Sequence, residues 1–129
     1  MNAALLVALG GALGSLARWW TSLALAQSVG PWFPWGTLLA NVGGCLLIGG
    51  LAGWSGEHGR LVESDVVRHF VMVGFLGGYT TFSAFSLQTV EMLQAGDLGR
   101  AGANVAGSLV LCLGATWAGF ALARTLSAN

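Results

Sequence analysis

Apolar positions run along this chain in four long blocks, and polar positions collect in the gaps between them. The blocks cover residues 3–26, 35–54, 66–93 and 101–123. Each comes near or exceeds the roughly 20 residues that an α-helix needs to cross a bilayer. The pattern predicts four membrane-spanning helices in a single domain that takes in residues 1–129. The gaps are short: 27–34, which holds Pro31 and Pro34, then 55–65, then 94–100. Short connections make successive helices antiparallel neighbours. Trp19, Trp20, Trp32, Trp35 and Trp54 fall toward the predicted span ends, where an aromatic belt sits at headgroup level. No basic segment precedes the first block, so residues 3–26 are expected to be a retained span and not a signal peptide.

The third block interrupts its own pattern. Gly74, Gly77 and Gly78 are followed by Thr80 and Thr81, then by Phe82 and Phe85 with Ser83 and Ser86 beside them. Glycine inside a helix costs about 1 kcal/mol relative to alanine, and β-branched threonine adds a smaller penalty. A helix broken near its centre, over about residues 77–81, is expected. Unwound backbone is tolerated at membrane depth only where protein covers it or where it lines a polar path. Carbonyl groups freed at such a break suit a hard cation such as sodium. Two chains crossing at the break would share one ion.

Composition narrows the class. Of 129 residues, 55% are hydrophobic and 8% charged, against about 25% charged in an ordinary soluble domain. Mean hydropathy is +0.73, and the 21 glycines fit membrane helices, where glycine is common. Zero formal net charge removes the electrostatic footprint of a nucleic-acid binder. Cys45 and Cys112 lie within apolar spans and match no metal spacing, so they read as small core residues. Small residues recur four apart: Gly10 and Gly14, Gly11 and Ser15, Gly49 and Gly53, and Ala115, Gly119 and Ala123. Such positions let helix backbones approach closely in lipid. Arg60, Arg68 and Arg124 would share one side of the membrane, with Arg100 on the other and Arg18 joining it if it reaches that surface. So weak a bias permits insertion in both orientations and an antiparallel homodimer, although three arginines against one could also set a single topology.

Candidate chemistry is polar but not catalytic. Thr37 and Asn41 stand four apart on one face of the second span. Asn41 fits an interhelical hydrogen bond or, through its two N–H donors, an anion contact. In the fourth span Asn104, Ser108, Cys112 and Thr116 recur every four residues, which reads either as interhelical glue or as a rail for a small ion. Phe82 and Phe85 would share a face. Two phenylalanines at that spacing usually just pack, but the edge of a phenyl ring is positive and can face an anion without a fixed countercharge. Arg18 is expected in a structural or vestibule role, and His58 and His69 in solvated ones. No nucleophile–base set, phosphate loop or metal cluster occurs in the sequence, so no enzyme is expected.

Three ordered stretches carry a resemblance. Gly10-Gly-Ala-Leu-Gly-Ser-Leu-Ala-Arg18, Gly36-Thr-Leu-Leu-Ala-Asn41 and Gly74-Phe-Leu-Gly-Gly-Tyr-Thr-Thr-Phe-Ser83 resemble the signatures of the bacterial fluoride channel family (Fluc, or CrcB). The likeness covers essentially the whole chain. It implies an all-α dual-topology antiparallel homodimer in the bacterial inner (cytoplasmic) membrane, with two fluoride pores and one central structural Na⁺. It implies that the backbone carbonyls of Gly77 and Thr80 hold that Na⁺. It further implies that Phe82, Phe85 and Asn41 face fluoride, with Thr37 and Ser83 as neighbouring polar contacts and Asn104, Ser108 and Thr116 as the rail. Arg18 falls on the motif arginine. Three positions depart from the family's usual pattern: Ala84 stands where a threonine is common, Gln88 where many members carry glutamate, and Asn104 where some carry tyrosine.

The resulting expectation is a passive fluoride channel that lowers cytoplasmic fluoride and protects the cell from its toxicity. The rival is a small multidrug-type four-helix transporter, also often of dual topology. That chemistry requires a membrane-embedded carboxylate, and every acidic residue here lies in a gap or near a span end. A third reading is a non-transporting assembly subunit in which the break is only a packing kink.

Overall fold

The computed structural model describes residues 2–54 and 64–127. Its helices are α1 (Ala3–Ser28), α2 (Trp35–Trp54), α3 (Val66–Leu76), a single turn at Gly77–Tyr79, α4 (Phe82–Gln94) and α5 (Leu98–Ser127). Four stretches are long and apolar enough to cross a membrane, the third being α3 through α4. The segment 55–63, with Glu57, His58, Arg60 and Glu63, lies outside the described residues. The expected solvated role of His58 and the contribution of Arg60 to the charge balance fall there.

Several helix ends have a local cause. The Asn2 side chain accepts from Ala4 N and caps α1. Gly30, at φ 90°, adopts a left-handed conformation open to glycine and turns the chain into Pro31. Gly96, at φ 77°, does the same between α4 and α5. Asp97 then caps α5, accepting from Arg100 N at 2.9 Å. Helix α5 is longer at both ends than the apolar block suggests: the cap brings Leu98–Arg100 into its first turn, and Arg124 sits in its last turn. The first span likewise runs two residues further, to Ser28, where the Ser28 hydroxyl donates to the Ala24 carbonyl.

Glycine pairs set the packing. On α1, a side chain at Gly10 or Gly14 would collide with the α3 backbone at Phe70 or Phe75. On α2, Gly49 lies on the Thr116 carbonyl and Gly53 on that of Phe120, while Gly119 lies on the Leu46 carbonyl. These contacts advance together, so α2 and α5 run parallel. Lipid offers no hydrophobic drive between helices, and dispersion contact at such small residues replaces it. The buried apolar set is small, including Leu6, Leu38, Ala40, Leu76 and Ala101. The outward faces carry exposed leucine, valine and tryptophan instead, as a lipid environment requires.

The break is narrower than expected. Gly77–Tyr79 keeps a helical turn, and only Thr80 (φ −85°, ψ 156°) and Thr81 (φ −155°, ψ 118°) are extended. The glycines serve close approach: Gly78 lies against the Gly11 backbone, and Gly44 leaves room for the Thr80 methyl. Before the break, α3 is wound with i→i+5 hydrogen bonds, a wide form that is rare and is frequently found at functional sites.

Candidate functional site

The break is held open by one side chain. Thr81 N donates to Asn41 Oδ1 at 2.7 Å, and Asn41 Nδ2 donates to Thr81 O at 3.0 Å. The Asn41 amide thereby replaces the backbone partner that each Thr81 group would have in a continuous helix. Two threonine hydroxyls complete the ends. Thr80 Oγ1 donates back to Leu76 O at 2.9 Å, and Thr81 Oγ1 caps α4 by accepting from Ala84 N at 3.2 Å.

Carbonyl oxygens around the break divide into two sets. Gly78 O accepts from Arg18 Nε at 3.1 Å, and Thr81 O accepts from Asn41. Gly77 O loses its usual donor, Thr81 N, to Asn41. Among the described residues no hydrogen-bond donor reaches Gly77 O or Thr80 O. These two oxygens are hard, neutral acceptors of the kind that Na⁺ takes. Arg18, from α1, does not point into the break as a charge; it ties down its back.

On the open side lies a cavity of about 400 Å³, lined among others by Asn41, Cys45, Thr80, Phe82, Phe85 and Ser108. The rings of Phe82 and Phe85 stand 5.3 Å apart and are inclined by 49°. Phe82 is 77% exposed, while Phe85 is half-buried. Among the described residues, no charged side chain lines this cavity. Behind it runs a relay: Asn104 Nδ2 donates to Thr89 Oγ1 at 2.9 Å, and Thr89 Oγ1 donates to Phe85 O at 2.7 Å. Asn104, only 2% exposed, thus holds the Phe85 turn from α5 and does not line the cavity. The stripe on α5 faces both α4, through Asn104, and α2, through Cys112 and Thr116 beside Cys45 and Gly49.

Two other candidates stand apart. Thr37, buried at 6% exposure, lines a second cavity of about 220 Å³ with Ser22, Trp35 and Gln88. Ser83 shares a hydrogen bond with Thr81 Oγ1 at 3.2 Å. Gln88 also lines a third cavity of about 380 Å³, with Trp32, Glu91, Asp97 and Arg100. There Arg100 Nη1 donates to the Trp32 carbonyl at 2.7 Å and its Nε to Asp97 Oδ2 at 2.5 Å. Hydrogen bonds from the Arg100 backbone and then its side chain hold the Asp97 carboxyl below its ordinary range. His69 sits at the start of α3 with Nδ1 at 3.1 Å from Asp65 O.

The partner of Asn41 escaped the sequence reading, as did Thr89. Their only sequence signal is the run of two threonines inside an apolar block and the placing of Thr89 four residues after Phe85. Cys45, read as core, lines the cavity one turn after Asn41.

A family model described as CrcB-like protein, Camphor Resistance (CrcB), matches residues 5–120. The chain belongs to this family. A relative from Opitutus terrae is 56% identical over 119 residues, which are 92% of this chain and 90% of the relative. One from Rhodospirillum rubrum is 50% identical over 115 residues, 89% of each chain. One from Methylocella silvestris is 47% identical over 121 residues, 94% of this chain and 92% of the relative. All three bear the name fluoride-specific ion channel FluC, the name of a channel and not of an enzyme. In this CrcB chain the three motif stretches converge on one place. The first supplies Arg18 to the back of the break, the second supplies Asn41 to its front, and the third is the break itself.

Proposed function

We propose that this chain forms a passive fluoride channel. The observation that carries the reading is the Asn41-held break, which turns Phe82 and Phe85 toward a cavity shared with Ser108 and, among the described residues, free of charged side chains. Ring edges and neutral N–H and O–H donors attract an anion weakly. Conduction needs that weakness, because an ion bound by a full countercharge leaves slowly. The names borne by relatives of 47% to 56% identity over nearly the whole chain support fluoride as the ion.

The working unit is an antiparallel, dual-topology homodimer in the bacterial inner membrane. The exposed Phe82 ring and the uncovered face of the break support it, as does the weak arginine bias. Gly77 O and Thr80 O of each copy would hold a central Na⁺, since two carbonyls are too few for a hard cation and a second copy doubles the set. Bound there, the ion supplies positive charge that joins the two breaks. Thr37 and Ser83 belong to the polar approach, Asn41 and Ser108 to the path, Asn104 to its support, and Arg18 keeps the break in place. Fluoride enters cells as neutral HF and dissociates inside. A leak driven by the membrane potential then lowers the internal concentration and protects the cell.

The test is fluoride release from liposomes, read with a fluoride electrode and compared with chloride. Wild type should release fluoride and not chloride. Phe82→Ala and Phe85→Ala should each abolish release while the dimer persists on size exclusion. Unchanged release from both variants would refute the assigned path.

A further inference from the structure

Cys45 and Cys112 occupy a place that the channel reading leaves unused. The contacts of Gly49 with Thr116 and of Gly53 with Phe120 fix the register of the parallel pair α2 and α5. One turn earlier, that register sets Cys45 opposite Cys112. Both side chains turn to the same side of the seam, into one cavity wall. Both are free and half-buried, and both line the 400 Å³ cavity beside Asn41 and Ser108. Two thiols on separate helices, adjacent to each other and open to a water-sized path, form a dithiol that a small neutral oxidant can reach.

We infer that Cys45 and Cys112 are a peroxide-reactive pair that closes to an intrasubunit disulfide and slows the channel. One thiol gives up its proton and attacks a peroxide oxygen as thiolate; the O–O bond breaks, and the leaving hydroxide takes up that proton, so the products are a sulfenic acid and water. The second thiol attacks the sulfenic sulfur; the S–S bond forms, the S–O bond breaks and a second water leaves. Two thiols have then lost two hydrogens, and one hydrogen peroxide has been reduced to two waters. A large charged disulfide reagent has no comparable route to a membrane-embedded seam, whereas hydrogen peroxide is close to water in size and polarity. Closure draws both sulfurs out of the cavity wall, removes two S–H donors next to Asn41 and Ser108, and locks α2 to α5. The effect on flux rests on the fluoride-channel reading; the cross-link does not.

The experiment treats the wild type, Cys45→Ser and Cys112→Ser in liposomes with hydrogen peroxide, removes the peroxide with catalase, and reads each sample against its own untreated half. Wild type should lose about two mass units and both alkylatable thiols. Its fluoride efflux should fall and return with a phosphine reductant. Neither serine variant should lose those two mass units or show reductant-reversible slowing. Separate sulfinic acids without a cross-link, a disulfide between two chains on a non-reducing gel, or a cross-linked channel with unchanged efflux would each overturn the inference. Should untreated wild type release no fluoride, the fluoride reading fails, and the mass measurement alone decides the thiol pair.

Discussion

Replacing Asn41 with alanine tests the device on which the site depends. The substitution removes both bonds to Thr81, at 2.7 and 3.0 Å. Side-chain hydrogen bonds between membrane helices average about 0.6 kcal/mol and reach about 1.7 kcal/mol. Two of them give about 1–3 kcal/mol. Thr81 is half-buried, so its freed N–H has one good alternative, the Gly77 carbonyl four residues back. Taking it would close the break into continuous helix, re-aim α4 with both Phe82 and Phe85 relative to the cavity, and occupy one of the two free carbonyl oxygens. The expected result is a protein less stable by that amount in thermal unfolding and no fluoride efflux from liposomes. Asn41→Asp sharpens the test. It keeps an acceptor for Thr81 N but loses the donor to Thr81 O and places a carboxylate on the path. Two like charges about 4 Å apart at an effective dielectric of about 20 repel by about 4 kcal/mol, about a thousandfold in rate. An aspartate variant that conducts like the wild type would refute the assignment of Asn41 to the path. An alanine variant with normal stability and flux would refute the clasp.

Other perturbations separate support from path. Gly49→Val places a side chain against the Thr116 carbonyl; such overpacking should cost about 1–3 kcal/mol, read as a lower melting temperature. Asn104→Leu removes the donor to Thr89 and should destabilise by about 0.6–1.7 kcal/mol, slowing efflux through a looser Phe85 without changing the preference over chloride. Asp97→Ala deletes the α5 cap and should lower the melting temperature at neutral pH. Because the folded Asp97 carboxyl sits below its ordinary value of 3.8, its contribution is present above that value and is lost as pH falls through the lowered one. The melting temperatures of wild type and Asp97→Ala should therefore converge in acid, and a difference that persists there would count against the cap.

Much of the architecture was legible in the chain as written. Four apolar blocks predict four spans, and the glycines four apart predict the seams, because lipid rewards only close backbone contact. Gly10 and Gly14 meet α3 and Gly49 and Gly53 meet α5, in keeping with that rule. The motif phenylalanines do lie together, since spacing along one helix is a local property. The extent of the break was less legible. Glycine marks weakness in a helix, yet Gly77 and Gly78 remain helical, and the unwinding falls on two threonines. Propensity lowers the barrier to a break without saying which peptide will give way.

That choice belongs to the tertiary structure. Thr81 is extended because Asn41, 40 residues earlier in the chain, offers a better partner than the next turn does. Asn104 becomes a support and not a lining residue because Thr89 stands across from it. Cys45 and Cys112, two unremarkable small residues in the sequence, come to line one cavity only through the register that Gly49 and Gly53 impose on α2 and α5. Sequence alone determined that this chain is a four-span membrane protein with a weak point in its third span, because hydrophobicity and helix propensity are properties of neighbouring residues. Where that span opens, and what it opens onto, depends on hydrogen bonds between helices, whose partners are far apart in sequence and are brought together only by packing.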